Sequence, residues 1–511
     1  MPQGAGGKGA EYDGYLSKAT KEAGFTFFGQ IFAMAFGFVA NAVIARLLGA
    51  DILGVFVLAW TVVMAASILT TFGFEGGFVK YISMFVGQDK RAEARSVFVF
   101  GIRLGITAGL IGTLLIILLR GPLAYTFFKE PRLEKALFFV AFAMVPYTVT
   151  RLHAAALRAL KDMRRSILGG EIWFRVLRLA VFLVLVHLGF RLLGIVGAVL
   201  VASVFSAAAT LYFVRKRAPY LLGRGPRAPI PTREIVTYSS QMLAETGTGF
   251  ALMQSGRLVL GYFLPSADVG VYNVVVLLAT LATLFTFSFN AIFSPIIADV
   301  YHRGKVDFME SLLHTITRWI VILTLPMFAW LVVSGQSVLR MFGHEFMRGY
   351  TALIILAAAN VIESASGSVS SCLAMTKYQR YNVYNILVMA VVAVVLNVIL
   401  VPRAGIVGAA IATGTAIILV NIVRLIEGKL LLRVFPFDRS SLKIVVTAVV
   451  LVGLAILARR WIGVPRKWYW SIATFGACYA AGAGLTFVLG IEREDRLVWS
   501  TVLGKLRRRA P

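Results

Sequence analysis

Charge is scarce in this chain, and acid is scarcer than base. Only 15% of the 511 residues are Asp, Glu, Lys or Arg, against about 25% in a typical soluble protein. The apolar share is 59% and the mean hydropathy +0.82. A water-soluble fold would need an unrealistically large buried core, so the composition implies a polytopic membrane protein. Cysteine is nearly missing: Cys372 and Cys478 lie in distant apolar segments, which argues against a disulfide framework or a metal site. The five histidines are scattered. No glycine-rich loop ending in Lys-Ser or Lys-Thr is present, which excludes that type of ATPase module from the chain. No nucleophile–base or paired-carboxylate pattern points to catalysis, and neither a metal nor a cofactor is expected.

What is abundant is apolar sequence of membrane-crossing length, about 20 residues for a hydrocarbon core of ~30 Å. The spacing predicts an all-α protein with fourteen transmembrane helices, at 24–45, 53–75, 98–119, 135–157, 171–188, 192–214, 236–262, 270–297, 315–333, 349–371, 382–400, 405–426, 441–458 and 468–490. The glycine-rich start, MPQGAGGKGAEYDGY, carries no signal-peptide pattern, and residues 1–20 are expected to be a flexible tail ahead of the first span.

The formal charge of +27 is unevenly placed. The segment 215–234, RKRAPYLLGRGPRAPIPTRE, holds six basic residues and four prolines, and the tail 491–511 ends KLRRRAP. Lys and Arg concentrate in alternate inter-span segments, and this asymmetry places both termini in the cytoplasm. The basic segments suit anionic lipid head groups, and nucleic acid is not expected as a partner.

The chain also repeats itself. At an offset of 216, Leu48, Gly54, Val55 and Phe56 fall on Leu264, Gly270, Val271 and Tyr272, and Lys161 and Arg164 fall on Lys377 and Arg380. The pentapeptide GIVGA occurs at 194–198 and 405–409. Three matches in the same order indicate a duplication. With six spans in each copy, the halves start on the same side of the membrane, as parallel repeats around a central cleft. The expected organisation is a tail at 1–20, a six-helix bundle at 21–214, a basic linker at 215–234, a second bundle at 235–430, two further helices within 431–490, and a basic tail at 491–511.

The twelve-plus-two arrangement, ARLLGADILGVF, YFLPSADVGVYN followed by SPIIADVYHRGK, and GHEFMRGYTALIILAAANVI followed by LAMTKYQRYNVYN and GIVGAAIATG, resemble the polysaccharide flippases of the multidrug/oligosaccharidyl-lipid/polysaccharide exporter superfamily. The resemblance covers residues 20–430. It implies alternating-access movement of a polyprenyl-linked glycan across the cytoplasmic membrane, with glycan assembly proteins as candidate partners and a proton or sodium gradient as candidate drive. Two other readings stay open: a multidrug exporter of the same fold, and a noncatalytic scaffold for a membrane glycan synthase.

Charged and amide side chains inside spans are costly unless they face partners or water, and they supply the site candidates. Arg257, Glu245 and Glu363 are the foremost, with Asn41 and Gln30 on the first span. Asn41 aligns with Arg257 at the repeat offset, which predicts an asymmetric cleft. Glu75 is a gating candidate with Gly76 and Gly77, where it would cap a helix break. Arg103 and Arg318 are repeat-related candidates for anchoring at the interface, and Glu171, Arg175 and Arg178 for local pairing. Arg151 and His153 also fall within a span. Tyr272, Asn273, Tyr381, Asn382, Tyr384 and Asn385 are candidates for contact with sugar rings, and Trp468–Trp470 for an interfacial belt.

Overall fold

The computed structural model describes residues 5–223, 228–437, 441–462 and 468–488; the side chains of residues 1–31 and a few others lie outside the description, as does the basic tail 491–511. Every regular element described is helical. The long helices follow in the order Ala5–Thr71, Arg91–Gly121, Arg132–Ala141, Met144–Ala159, Trp173–His187, Leu192–Arg217, Thr232–Phe263, Ser266–Ala279, Leu284–His302, Val306–Phe342, Tyr350–Ala374, Gln379–Glu427, Ser441–Ile462 and Trp468–Val488. Among the described residues, seven helices are long and apolar enough to cross a membrane, or eight if Arg132–Ala141 and Met144–Ala159, bent by 47°, form one broken span. The molecule is an all-α, multi-pass membrane protein.

Two of the apolar helices each cover a pair of expected spans. The continuous run Gln379–Leu432 has 54 residues, which would extend to about 81 Å if straight, far beyond a ~30 Å core. The chain instead breaks at Gly405, whose φ of 57° and ψ of −133° are not helical. Three residues later, a side chain at Gly408 would stand 2.2 Å from the Leu400 carbonyl. Ala35–Thr71 contains a similar break at Gly49, φ 77°. The helix that contains it starts at Ala5, inside the segment expected as a tail.

The chain divides into two compact units, Met1–Gly270 and Val271–Pro511. The helix Thr232–Phe263, assigned from the sequence to the second bundle, falls in the first unit. It is seated closely there: a side chain at Gly73 would meet the Ser239 carbonyl at 1.9 Å, and one at Gly77 the Ser239 hydroxyl at 2.6 Å.

Within the first unit, the helix Arg91–Gly121 carries glycines at 101, 105 and 109, spaced by four so that they line one face. An added side chain at Gly101 would reach Phe78 at 2.4 Å, and one at Gly105 would reach Leu152 at 2.6 Å. Lipid tails are as apolar as leucine, so helices in a membrane associate through such close packing rather than through the hydrophobic effect. A buried cluster of Phe74, Phe78, Tyr81, Phe98, Leu152 and Val214 results. The described residues of the second unit include a buried cluster around Ile297, Met309 and Cys372 and another joining Val321, Ala329 and Val333 to Leu451 and Ala455.

Candidate functional site

The first unit gathers charge where its helices break. After Thr71 the backbone turns through Phe72 (φ 46°) and Gly73 (φ 68°). A new short helix, Phe74–Gly77, then runs into a π-helical turn at Phe78–Ile82. The break therefore precedes Glu75, and Gly76 and Gly77 lie inside the new helix, where Gly76 accommodates Met242 and Gly77 accommodates Ser239. Glu75 does not cap the break. Its carboxylate holds the Arg151 guanidinium at 2.7 Å, with Arg158 at 3.8 Å.

Arg151 and Arg158 are seven residues apart on Met144–Ala159, two turns along one face. Facing charges come from a second irregular stretch, the π-helical turn Leu168–Ile172 leading into Trp173–His187. Glu171, Arg175 and Arg178 share a helix face through their spacing of four and three, and Arg175 pairs with Glu171 at 3.3 Å. A side chain at Gly37 would lie 3.4 Å from an Arg175 nitrogen, so the first helix leaves room for that guanidinium. One turn along, Asn41 spends its amide on the Gly37 carbonyl at 2.7 Å.

Three rings sit among these charges. Trp60 contacts Tyr147 at 5.2 Å and Phe174 at 6.0 Å, and Tyr147 contacts Phe174 at 6.0 Å, centroid to centroid. The Arg151 guanidinium lies 5.9 Å from the Tyr147 ring and that of Arg178 5.8 Å from Phe174. Tyr147 feels the charges of Arg151, Glu75, Glu171 and Arg175 together. The Nε of Arg178 is buried without a hydrogen-bond partner among the described residues. Four guanidiniums against two carboxylates leave an excess of two positive charges beside an aromatic surface. Such a group can hold a dianionic head group through charge-assisted bonds and stack an adjoining ring.

The other expected residues are placed elsewhere. Arg257 lies on Thr232–Phe263 and donates to Gln254 and, at 3.5 Å, to the Met253 carbonyl. Glu245 is exposed, three turns earlier on the same helix. Gln30 lies on the first helix, with its side chain outside the described residues. Arg103 is exposed whereas Arg318 is buried, so these repeat-related arginines have different surroundings. Glu363 belongs to the second unit, half-buried and in the field of the buried Arg424. Nearby Asn385 is buried and donates to Glu427 at 2.5 Å, and Tyr272, also buried, reaches the Thr413 hydroxyl at 3.2 Å. Tyr381 and Tyr384 are exposed. Trp468 and Tyr469 lie outside the described side chains. His153 is packed in the core against Phe98, with 3.4 Å to Thr210.

Sequence reasoning named Glu75, Glu171, Arg175, Arg178 and Arg151 but not their assembly around Trp60, Tyr147 and Phe174, nor Arg158. The heptad spacing of Arg151 and Arg158 was the readable signal. A second feature, a cavity of about 540 Å³ where the linker meets the helices, is lined by Lys80, Tyr81, Arg233, Glu234, Tyr238 and Gln241. Burial and the hydrogen bond to Glu234 push the Tyr81 phenol up to about 12.

Comparison with known proteins adds to this geometry. A family model described as polysaccharide biosynthesis protein matches residues 43–349. The probable low-salt glycan biosynthesis flippase Agl15 of Haloferax volcanii is 24% identical over 182 residues. That match covers 35% of this chain and 39% of the relative, so it spans about two-fifths of the relative's length. An inward-facing multidrug resistance MATE family transporter of the MOP superfamily superposes with a TM-score of 0.67 at 16% identity, covering 78% of this chain and 94% of its own. The lipid II flippase MurJ, in an inward closed conformation, gives 0.67 at 13% identity, covering 90% and 98%. At these identities the two superpositions speak for the fold.

Proposed function

This chain belongs to the polysaccharide biosynthesis protein family, within the MOP superfamily of transporters, and on that premise we propose that it is an alternating-access flippase for polyprenyl-linked oligosaccharide or polysaccharide precursors. The observation that carries the reading is the arginine cluster of the first unit, with its excess positive charge and its adjoining rings. A lipid-linked glycan presents an anionic phosphate or diphosphate next to a sugar. Moving that charge through an apolar medium without partners would be prohibitive. Arg151, Arg158, Arg175 and Arg178 supply the partners, and Trp60, Tyr147 and Phe174 a surface for the sugar. The lipid tail stays in the membrane throughout. The name of the Haloferax volcanii relative, a glycan biosynthesis flippase, supports the same cargo class.

The proposed topology has fourteen spans, two parallel six-helix repeats and both termini in the cytoplasm of a cell whose cytoplasmic membrane it crosses. The basic linker 215–234 and the cavity beside Lys80 and Arg233 would then meet anionic lipid head groups. Glu363, beside Arg424, is the group proposed to couple transport to a proton or sodium gradient. Arg257 is proposed to help hold the head group, and glycan assembly proteins to deliver it.

The test is head-group translocation in liposomes reconstituted with equal amounts of folded protein. Arg151→Ala and Arg178→Ala should each slow flipping about 10- to 100-fold, the loss of a charge-assisted hydrogen bond worth roughly 1.5–3 kcal/mol. Wild-type rates from both variants would reject the cluster as the head-group site.

A further inference from the structure

The two copies of the repeated motif touch each other within the first unit. A side chain at Gly54 would stand 1.7 Å from the Ser266 carbonyl and 3.1 Å from the Gly270 nitrogen; one at Gly270 would stand 2.0 Å from the Ala50 carbonyl and 3.1 Å from the Gly54 nitrogen. At the offset of 216, Ala50 corresponds to Ser266 and Gly54 to Gly270. Each glycine therefore presses on the residue that its counterpart's repeat places four positions earlier. That reciprocity is the mark of a local twofold axis, and only residues without a side chain permit the approach.

Polar groups lie beside this contact. The Arg132 guanidinium donates to both oxygens of Asp51, at 2.5 and 2.8 Å, and to both oxygens of Glu130, at 2.8 and 2.9 Å. The Ser266 hydroxyl lies 2.8 Å from Asp51 and 2.9 Å from Glu130, its single proton serving one carboxylate at a time. Three segments are thus tied together: the turn after Gly49, the connection at 128–132, and the start of Ser266–Ala279. At the offset of 216 Asp51 falls on Ala267, so this carboxylate is not repeated at the corresponding position. Beneath it, Leu58 and Phe128 crowd Gly261, where an added side chain would meet them at 2.4 and 3.1 Å.

We propose that Asp51, Glu130, Arg132 and Ser266 form a latch that holds the two copies of the motif together at the Gly54–Gly270 contact within the first unit and must open to release cargo on the side opposite the basic linker. The proposal rests on the transporter reading and on the orientation given by the basic segments. Its strength suits reversal. Asp51 and Arg132 are about half exposed, at 49% and 47% of their side-chain surface. Exposed ion pairs are individually weak, and bidentate networks somewhat stronger, so the latch can be made and broken in each cycle.

The experiment uses the full chain with Cys372→Ser and Cys478→Ser, carrying Leu58→Cys as a reporter beneath the latch. Val199→Cys, in the core of the first bundle, serves as a control in a second version. Both native positions are buried in the folded chain, Leu58 at 1% and Val199 at 0%. A membrane-impermeant maleimide is applied from the outside of intact cells. Adding Arg132→Ala should speed labelling of Leu58→Cys about tenfold and leave Val199→Cys unlabelled, with Arg132→Lys and Ser266→Ala in between. Unchanged labelling of Leu58→Cys would overturn the latch, and so would equal acceleration at both cysteines, which would mark the cluster as a brace of the whole bundle. Translocation is measured on the same variants. Accelerated labelling in a protein that flips no lipid-linked glycan supports the latch while rejecting the cargo; flipping with unchanged labelling does the reverse.

Discussion

The two units place their interior charge differently. In the first, Arg151, Arg158, Arg175 and Arg178 outnumber Glu75 and Glu171, and they stand against an aromatic surface. In the second, the buried Arg424 lies in the field of two carboxylates, Glu363 and Glu427, and Arg318 is buried as well. On the proposed duplication, the two copies share the Gly54–Gly270 motif while their polar residues differ. The divergence is also visible between Arg103 and Arg318, aligned by the duplication yet exposed in one copy and buried in the other. A symmetric pair of basic clusters would bind anions equally in both halves. On the proposed reading, one half handles the anion and the other the driving ion.

The largest expected effect breaks the first half of that comparison. Combining Arg151→Ala with Arg178→Ala should lower head-group flipping by about 100-fold or more, because two charge-assisted contacts are lost. Insertion and helix content should be unchanged, as read by detergent solubility and circular dichroism. Next comes the second half: Glu363→Gln should leave downhill flipping within about threefold of wild type and remove its response to an imposed ion gradient. Gradient-sensitive flipping by Glu363→Gln would remove the proposed division of labour.

Arg257→Ala sharpens the comparison at an intermediate scale. The side chain lies on a helix that belongs to the second repeat by sequence and to the first unit by packing. If it assists the arginine cluster, Arg257→Ala should slow flipping about tenfold and Arg257→Lys should restore part of the rate, since charge remains while the planar fork is lost. An Arg257→Ala protein with wild-type flipping would leave the head group to the four cluster arginines alone.

The all-α, multi-pass character was legible because apolar length is a linear property of a chain. The breaks were partly legible. Gly405 and Gly49 stand in repeated glycine motifs, but the turn at Phe72–Gly73 depends on a non-glycine residue with φ 46°, which nothing in GFEGG announces. That is why the break was expected beside Gly76 and Gly77 instead. The charges in the first bundle were visible one by one as expensive residues inside spans. Their meeting was not, because Glu75 and Arg151 are 76 positions apart and come together only through the packing of the folded chain. The ties among Asp51, Glu130, Arg132 and Ser266 were equally hidden, since charges in connecting segments ordinarily face water.

The smallest expected effect concerns those ties. The Arg132 guanidinium, helped by Ser266, holds the Glu130 carboxyl below its ordinary value of 4.5, burial opposing. A depressed carboxylate contributes stability that is fully present above the ordinary value and is lost as pH falls through the lowered one. The difference in thermal midpoint between wild type and Glu130→Gln should therefore be flat from neutral pH down to the ordinary carboxylate range and shrink only below it. A difference that already changes near neutrality would assign the pH response to another group.

The most direct test of the central claim compares cargo by charge. Wild-type protein in liposomes would be offered a fluorescent polyprenyl diphosphate sugar and the matching polyprenyl glycoside without phosphate. The account predicts rapid flipping of the diphosphate, little of the neutral lipid, and loss of the difference in Arg151→Ala combined with Arg178→Ala. Equal movement of both lipids by the wild type would contradict it.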